Sequence, residues 1–329
     1  MLEHGGRLRA AAQEFGIDEA AWVDLSTGIA PWPWTIPAIP ERAWARLPEP
    51  DDGLEAAACR YYGAEQSLPV AGSQAAIQLL PRLRRSGKVG VLGPCYAEHA
   101  EAWRRGGHVV RELADDEAES YLDGLDVLVV VNPNNPTGRL VSAETLLAWQ
   151  ARLAARGGWL VVDEAFMDMT PAHSLASETN RPGLIVLRSF GKFFGLAGVR
   201  LGFVLAEPRL LVALAEQLGP WAVSGPTRSL GRACLQDGPG HRRQIERCTA
   251  AAAQLAALLA EHGWAPAGGC ALFQWVRSER AAALYLYLAQ RGILVRLFRH
   301  TGSLRFGLPA EDRQWQRLGE ALAGFPEEA

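Results

Sequence analysis

Short apolar runs alternate with amphipathic stretches along the middle of the chain. From about residue 54 this pattern predicts helices and strands that follow one another closely. The predicted segments are helix 54–63, helix 73–85, strand 88–93, helix 96–107, strand 108–113, strand 125–131, helix 142–157, and strands 159–166, 184–190 and 200–206. Strands that alternate with helices indicate an α/β fold with a mostly parallel sheet flanked by helices.

The two ends of the chain differ from this middle. Closely spaced prolines between residues 18 and 50 exclude a long helix and predict an extended N-terminal arm, anchored by its tryptophans. Beyond residue 220, helices around 227–262 precede short strands and a last helix, which is typical of a smaller α+β domain. The predicted domains are an N-terminal arm at 1–40, a large α/β domain at 41–220 and a small α+β domain at 221–329.

Composition narrows the classes of function. Hydrophobic residues make up 49% of the 329 residues, which is enough apolar material for a core and excludes global disorder. Lysine and arginine number 33 against 36 acidic residues, and no basic block occurs, so we expect small-molecule partners and no nucleic acid. The N-terminus lacks the apolar stretch of a signal peptide, and no run of about 20 apolar residues occurs, so no membrane partner is expected.

The cysteines bear on metals and on the cellular compartment. They form no C-x-x-C pair and no Cys/His cluster at metal-ligand spacing, so we expect no metal and a reduced, cytoplasmic environment. The five residues are Cys59, Cys95, Cys234, Cys248 and Cys270.

Lysine is almost absent, because only Lys88 and Lys192 stand among the 33 basic residues. Lys192 follows a predicted strand in RSFGKFFGLAGVRLG, whose four glycines allow close backbone approach to a ligand. A lysine that forms a Schiff base needs a partly desolvated, electropositive surrounding, and we expect Arg188 and Arg200 to supply the charge. The alternative is a solvated loop lysine. Lys88 is interpreted as an exposed turn residue.

Two polar side chains follow neighbouring predicted strands. Asp163 ends the strand WLVVD, at the edge where open α/β sheets bind ligands. It either caps a helix or accepts a hydrogen bond from a protonated ring nitrogen. Asn135, in the string NPNNPTG, is held extended by Pro136 and can direct its amide to a ligand hydroxyl. The next helix is predicted to begin after an N-cap at Ser142.

Several further side chains have an anion-binding and a structural interpretation. Ser73 and Gln74 begin a predicted helix, where they either bind a phosphate or cap the helix. Ser189 precedes Lys192, and with Arg200 it provides a second anionic contact. Tyr96, after a strand in GPCYAEH, either stacks on an aromatic ring or packs in its loop.

Two arginines interrupt apolar strands near the C-terminus. Arg296 lies in GILVRLF and Arg305 in SLRFGL. One interpretation places both side chains on an exposed face. The other makes them a pair of guanidinium forks for a carboxylate and a phosphate.

Together, the motifs resemble those of pyridoxal-phosphate enzymes of the aspartate aminotransferase fold, fold type I, over nearly the whole chain. Within that fold they resemble the L-threonine-O-3-phosphate decarboxylases of cobalamin biosynthesis, which are related to histidinol-phosphate aminotransferase. The strings that carry this resemblance are HGG at 4–6, DLSTGI at 24–29, AGSQAAIQLLP at 71–81, VVDEAFMD at 161–168 and LRFGLP at 304–309.

The resemblance implies pyridoxal 5'-phosphate as the cofactor and a homodimer that acts on a phosphorylated amino acid. It assigns the Schiff base to Lys192, the pyridine nitrogen to Asp163, the ring hydroxyl to Asn135 and ring stacking to Tyr96. The cofactor phosphate is assigned to Ser73, Gln74, Ser189 and Arg200. The substrate carboxylate is assigned to Arg305, and the substrate phosphate to Arg296 and His4.

Three positions depart from the family pattern. Phe166 stands where relatives commonly carry a tyrosine, so one contact to the ring hydroxyl is absent. Ala30 replaces an asparagine expected near the substrate phosphate, and Leu47 replaces a tyrosine that would reach the neighbouring subunit's cofactor.

The implied activity is decarboxylation of L-threonine O-3-phosphate to 1-amino-2-propanol O-2-phosphate. Two alternatives stay open at this point. One is an aminotransferase that acts on a phosphorylated substrate such as histidinol phosphate, since a rotated substrate undergoes transamination instead. The other is a non-catalytic homologue that binds pyridoxal phosphate.

Overall fold

The computed structural model describes residues 4–326, and the chain forms two compact units. The first unit comprises the residues up to Pro33, Pro136–Gly138 and the residues from Arg242 onward. The second comprises Trp34–Asn135 and Arg139–His241. The sequence did not predict that the N-terminal residues pack with the C-terminal ones. The domain boundaries expected after residues 40 and 220 stay predictions, and their outermost residues, 1–3 and 327–329, lie outside the described residues.

Helices account for much of both units. Ser142 is the N-cap of the helix that starts at Ala143, as predicted, and its Oγ accepts a hydrogen bond from the Thr145 N–H at 3.1 Å. The α-helices are α1 (Leu8–Phe15), α2 (Glu41–Ala45), α3 (Leu54–Tyr62), α4 (Ser73–Leu79), α5 (Glu98–Arg105), α6 (Ala118–Tyr121), α7 (Ala143–Ala154), α8 (Phe190–Phe193), α9 (Pro208–Leu218), α10 (Gly225–Gln236), α11 (Gly238–Glu261), α12 (Ala281–Ala289) and α13 (Asp312–Ala323). Short 3₁₀ helices cover Glu19–Ala21, Leu80–Leu83, Leu122–Gly124, Met167–Met169, Pro171–His173, Ala176–Glu178, Ala197–Val199 and Arg299–Thr301.

Strands occur in both units as well. They are β1 (Val23–Asp24), β2 (Leu68–Val70), β3 (Lys88–Leu92), β4 (Val109–Leu113), β5 (Val127–Val131), β6 (Trp159–Asp163), β7 (Leu184–Ser189), β8 (Gly202–Ala206), β9 (Gly268–Cys270), β10 (Phe273–Arg277), β11 (Ile293–Leu294), β12 (Arg296–Phe298) and β13 (Ser303–Gly307). Lys88 is therefore the first residue of a strand and not a turn residue, although its side chain is exposed as expected.

The second unit is built on a seven-stranded sheet with the order β2-β8-β7-β6-β5-β3-β4. The pairs β3/β4, β3/β5, β5/β6 and β6/β7 are parallel, whereas β8 runs antiparallel to both β7 and β2. This confirms the predicted mostly parallel sheet. The central strand β5 has the sequence VLVVV and is buried throughout, as a strand covered by helices on both faces must be.

The core of the second unit forms where this sheet meets its helices. It contains Val129, Val161 and Ile185 from the strands, with Ile77 of α4 and Trp103 of α5 packed against them. Because this core fixes the ends of β5, β6 and β7, it also fixes the polar residues that follow those strands.

The first unit contains two small sheets. One is antiparallel with the order β12-β13-β10-β9, and the other pairs β1 with β11 in parallel. A small apolar cluster formed by Ala11, Trp22, Ala289 and Leu294 joins α1 to α12 and β11. The N-terminal residues are therefore part of the packing of this unit.

Candidate active site

Three parallel strands end at one edge of the large sheet, and predicted site residues lie at their ends. Asp163 is the last residue of β6 and Ser189 is the last residue of β7. In register, Asp163 pairs with Val131 of β5 and with Leu187 of β7. The edge formed by the carboxyl ends of parallel strands is where open α/β sheets bind ligands.

The Asp163 carboxylate is buried and held by two donors. Its Oδ2 lies 2.8 Å from Nε2 of His99, and its Oδ1 accepts the Ala165 N–H at 3.1 Å. The interpretation of Asp163 as a helix cap is wrong, because the 3₁₀ helix that follows has Phe166 at its N-cap. Partners of this kind allow a carboxylate to stay buried, so its position in the site is fixed before any ligand arrives.

His99 is a functional candidate that the sequence reasoning missed. It lies in α5, and its side chain is 1% exposed. Its ring contacts that of Tyr96 edge-on, with a centroid separation of 6.1 Å. The available signal was its spacing of three residues from Tyr96, which places the two rings close together at the start of a helix.

Tyr96 and Gln74 are joined by a hydrogen bond. The Tyr96 hydroxyl donates to Oε1 of Gln74 at 3.1 Å, and Nε2 of Gln74 donates to Glu98 at 3.0 Å. Burial, with help from the charges of Glu98 and Asp163, raises the pKa of Tyr96 to about 12. The hydroxyl therefore remains protonated, and the ring is tethered beside the carboxyl edge.

A second group of donors converges where α4 begins. A Cβ on Gly72 would lie 2.7 Å from Nη2 of Arg200, so that the guanidinium rests against the backbone ahead of Ser73. Ser189 pairs with Gly202, and a Cβ on Gly202 would lie 2.5 Å from the Ser73 nitrogen. The two glycines thus allow the Arg200 guanidinium and the backbones of Ser73 and Ser189 to lie near one another, and residues of these types can bind an anion.

Lys192 lies in α8, directly after β7, and is half-buried. Its Nζ is 6.0 Å from the centroid of the Phe166 ring, and Phe166 follows Asp163 in the same loop. The neighbouring Phe190 and Phe193 are buried. The alternative of a solvated loop lysine is therefore wrong, since Lys192 lies on a helix in a partly desolvated surrounding.

Arg188 does not supply the positive charge that we expected near Lys192. It is buried, and its guanidinium lies 2.7 Å from Glu164 and 3.1 Å from Asp168. Burial alone lowers the pKa of Arg188, but the two carboxylates more than offset this and raise it above its ordinary value. Because two carboxylates compensate its charge, Arg188 is a structural cation, and of the two arginines only Arg200 stays a candidate for binding an anion.

Arg296 and Arg305 lie directly opposite each other on β12 and β13 of the first unit. Residues paired in this way project from the same face of a sheet, and like charges so placed are destabilising. Burial, followed by the charge of Arg296, lowers the pKa of Arg305 to about 10. Arg305 is 6% exposed, so the interpretation that places it on an exposed face is wrong. An anion bound between the two guanidinium groups would relieve the repulsion.

His4 belongs to the same unit and is exposed. It precedes Gly6, whose N–H donates to the Ser26 hydroxyl at 2.8 Å, while Arg305 donates to the Ser26 carbonyl at 2.8 Å. Ser26 thus contacts both Arg305 and the backbone two residues after His4. Asn135 lies in the second unit, in the segment that connects β5 to α7 and whose Asn132 N–H donates to the Asp163 carbonyl at 2.9 Å.

Residues 4–326 contain no group of three or more His, Cys, Asp or Glu side chains arranged to hold a metal ion. Within the same range, no helix combines the length and the apolar character needed to cross a membrane.

Comparison with known proteins identifies the family. The model of the aminotransferase class I and II family matches residues 32–322. The chain belongs to this family. A threonine-phosphate decarboxylase of Pseudomonas aeruginosa is 66% identical over 329 residues, which is 100% of this chain and 99% of the relative. A second threonine-phosphate decarboxylase, from a Sinorhizobium species, is 45% identical over 330 residues, which covers 98% of each chain.

A solved structure shows that this aminotransferase-family chain has the expected fold. The histidinol-phosphate aminotransferase of Sinorhizobium meliloti in complex with pyridoxal-5'-phosphate superimposes with a TM-score of 0.85. The match covers 98% of this chain and 94% of that one at 21% identity. The predicted fold type I architecture is thereby confirmed.

The positions that depart from the family pattern have different surroundings in this member. Phe166 and Ala30 are buried, at 4% and 2% exposure, whereas Leu47 is 63% exposed. Phe166 retains the ring that contacts Lys192 and lacks only the hydroxyl. The exposed Leu47 lies on the surface of the second unit.

Proposed function

We propose that this chain is a pyridoxal-phosphate-dependent decarboxylase of L-threonine O-3-phosphate. The observation that carries the proposal is the opposed pair Arg296 and Arg305, because two adjacent guanidinium groups suit a substrate with both a carboxylate and a phosphate. The full-length similarity to two threonine-phosphate decarboxylases supports the same substrate class.

The residues of the second unit suit pyridoxal phosphate. Lys192 provides the amine that holds the cofactor, and the Asp163 carboxylate accepts a hydrogen bond from its protonated ring nitrogen. Asn135 binds the ring hydroxyl, and Tyr96 stacks on the ring. The cofactor phosphate is held by Ser73, Gln74, Ser189 and Arg200. The side chain of Gln74 is already bonded to Tyr96 and Glu98, so its phosphate contact is assigned to the backbone N–H.

When bound, the cofactor supplies an electron-accepting ring that stabilises the electron pair left behind as carbon dioxide departs. Asp163 supports this role because a buried carboxylate favours the protonated ring nitrogen. His99 fixes the direction of that carboxylate.

The residues of the first unit select the bond that breaks. Arg305 binds the substrate carboxylate, and Arg296 with His4 binds the phosphate, so that binding energy from both ends orients the substrate. Loss of the carboxylate as carbon dioxide leaves a carbon that must gain one proton. Lys192, or a water beside it, delivers that proton and gives 1-amino-2-propanol O-2-phosphate.

The product assigns the reaction to cobalamin biosynthesis, and the cytoplasm is the proposed compartment. All five cysteines are free thiols, which suits a reducing environment.

We propose a homodimer as the working form. Trp44 and Leu47 are 68% and 63% exposed on the second unit, and large exposed apolar side chains often mark protein contacts. A monomeric mass in solution at full activity would contradict this assignment.

Product analysis tests the activity. The purified protein, loaded with pyridoxal phosphate, is incubated with L-threonine O-3-phosphate, and separately with histidinol phosphate plus 2-oxoglutarate. We expect one carbon dioxide and one aminopropanol phosphate per threonine phosphate consumed. Glutamate formed from 2-oxoglutarate in the histidinol phosphate reaction, without release of carbon dioxide, would identify an aminotransferase instead. No turnover of either substrate by protein that binds the cofactor would identify a non-catalytic homologue.

A further inference from the structure

Ser26 is a buried serine in the DLSTGI string to which no function has yet been assigned. It is 2% exposed and lies two residues after the end of β1 in the first unit. Its backbone and its side chain each bond to a different segment of that unit. Such a residue fixes the relative positions of the segments it joins.

The side chain of Ser26 is oriented by Asp24. Oδ1 of Asp24 accepts two hydrogen bonds, from the Ser26 N–H at 2.9 Å and from the Ser26 hydroxyl at 2.6 Å. With its proton committed to Asp24, the Ser26 oxygen is left as an acceptor, and it accepts the Gly6 N–H at 2.8 Å. The serine thereby holds the backbone of the HGG string.

The close packing around Ser26 also requires a particular residue type at a neighbouring position. A Cβ on Gly5 would overlap the Ser26 carbonyl oxygen, so only glycine allows the N-terminal segment to lie this close. The same carbonyl accepts the Arg305 Nη2 donor at 2.8 Å. One residue therefore contacts the segment that carries His4 through its hydroxyl and Arg305 through its carbonyl.

The surrounding strands hold Ser26 in this place. The Leu25 N–H donates to Leu294 of β11 at 2.7 Å, and the Leu25 carbonyl accepts the Gly307 N–H of β13 at 2.7 Å. Since Gly307 and Arg305 lie on the same strand, the segment at Ser26 and the arginine have a fixed separation. The N-terminal segment, by contrast, is bonded to Ser26 through the hydroxyl.

We propose that Ser26 is a positioning residue that sets the preference for a phosphorylated substrate by holding His4 at a fixed place relative to Arg305. This inference rests on the proposed function for the identity of the substrate. It goes beyond that function in assigning phosphate selectivity to a residue that need not touch the substrate. Because the contact to Arg305 is made by the backbone carbonyl, Ser26→Ala retains it and disturbs the His4 segment alone.

The test measures binding separately from turnover. Affinities for L-threonine O-3-phosphate and for L-threonine are determined from the change in cofactor absorbance on rapid mixing, before turnover, for the cofactor-loaded wild type, Ser26→Ala, His4→Ala and the double variant. Loss of one buried hydrogen bond predicts that Ser26→Ala weakens threonine phosphate about tenfold. Binding of L-threonine is expected to stay within about twofold, because the carboxylate contact remains.

The double variant shows whether Ser26 acts through His4. If Ser26 acts through His4, Ser26→Ala adds nothing once His4 is alanine, so the two effects on threonine phosphate are not additive. Additive effects, or an equal loss for L-threonine, would overturn the proposal. Asp24→Asn is the matched control, since its amide oxygen still accepts both hydrogen bonds, and it is expected to keep the selectivity.

Gly5→Ala displaces the same N-terminal segment without changing Ser26. It leaves Ser26 intact but drives the N-terminal segment away from the Ser26 carbonyl, so we expect the same loss of phosphate selectivity. Unchanged selectivity in this variant would contradict the proposal even if Ser26→Ala failed to fold. Wild-type protein that binds threonine phosphate but releases no carbon dioxide would overturn the proposed function. The proposal for Ser26 would still be tested in that case, because the affinities of the variants can be compared without turnover.

Discussion

Nε2 of His99 and Oδ2 of Asp163 lie 2.8 Å apart, with the two side chains 1% and 4% exposed. The pair joins α5 to the end of β6, and the two residues are 64 positions apart along the chain. Because a buried carboxylate is stable only with partners, His99 is what allows Asp163 to be ready for a cationic ring nitrogen.

Replacing His99 with leucine is expected to lower the free energy of unfolding by about 1–3 kcal/mol and to weaken cofactor binding, because Asp163 loses its side-chain partner. Denaturant unfolding and titration with pyridoxal phosphate measure the two effects. His99→Gln retains an N–H donor and should recover part of the loss. Wild-type affinity and stability in the leucine variant would show that the pair has no such role.

Replacing Arg188 is expected to change the stability of the folded protein. Arg188→Met leaves Glu164 and Asp168 buried without their cation, which is expected to destabilise the protein by about 3–5 kcal/mol. The matched control is Arg152→Met, since Arg152 pairs with Asp123 at 2.8 Å on the surface and should show no measurable change. Equal unfolding midpoints for the two variants would contradict the account of the buried cluster.

Replacing Tyr96 with phenylalanine is expected to change how the free energy of unfolding depends on pH above pH 10. The folded state raises its pKa from 10.0 to about 12, so the folded protein retains the phenol proton more tightly than the unfolded chain. The stabilisation is therefore complete below pH 10 and is lost as the pH rises from about 10 to 12. Tyr96→Phe has no proton to lose. Its unfolding free energy should fall less steeply than that of wild type over this range, and parallel curves would contradict the shift.

Much of the large sheet could be predicted because its central strands are largely apolar. The string VLVVV of β5 is an example, since a strand buried on both faces needs no polar alternation. The strand Leu68–Val70 was missed because it is short and contains Pro69. That proline is tolerated where β2 lies, at the edge of the sheet.

The candidate functional residues were easier to predict from the sequence than the buried ion pairs around them. Lys192, Asp163 and Ser189 stand next to strand ends that the pattern locates, so their meeting at one edge follows from parallel pairing. The partners Glu164 and Arg188 are 24 residues apart in sequence and meet only because β6 and β7 pair. Arg188 was expected to be a free charge because nothing in the local sequence marks its carboxylate partners.

The most direct test of the central claim is to locate the lysine that holds pyridoxal phosphate. The chain contains only Lys88 and Lys192, so borohydride reduction of the cofactor-loaded protein followed by peptide mass mapping gives an unambiguous assignment. We expect visible absorbance that disappears on reduction and a label on Lys192, with Lys192→Ala unlabelled. A label confined to Lys88, or no bound cofactor at all, would contradict it.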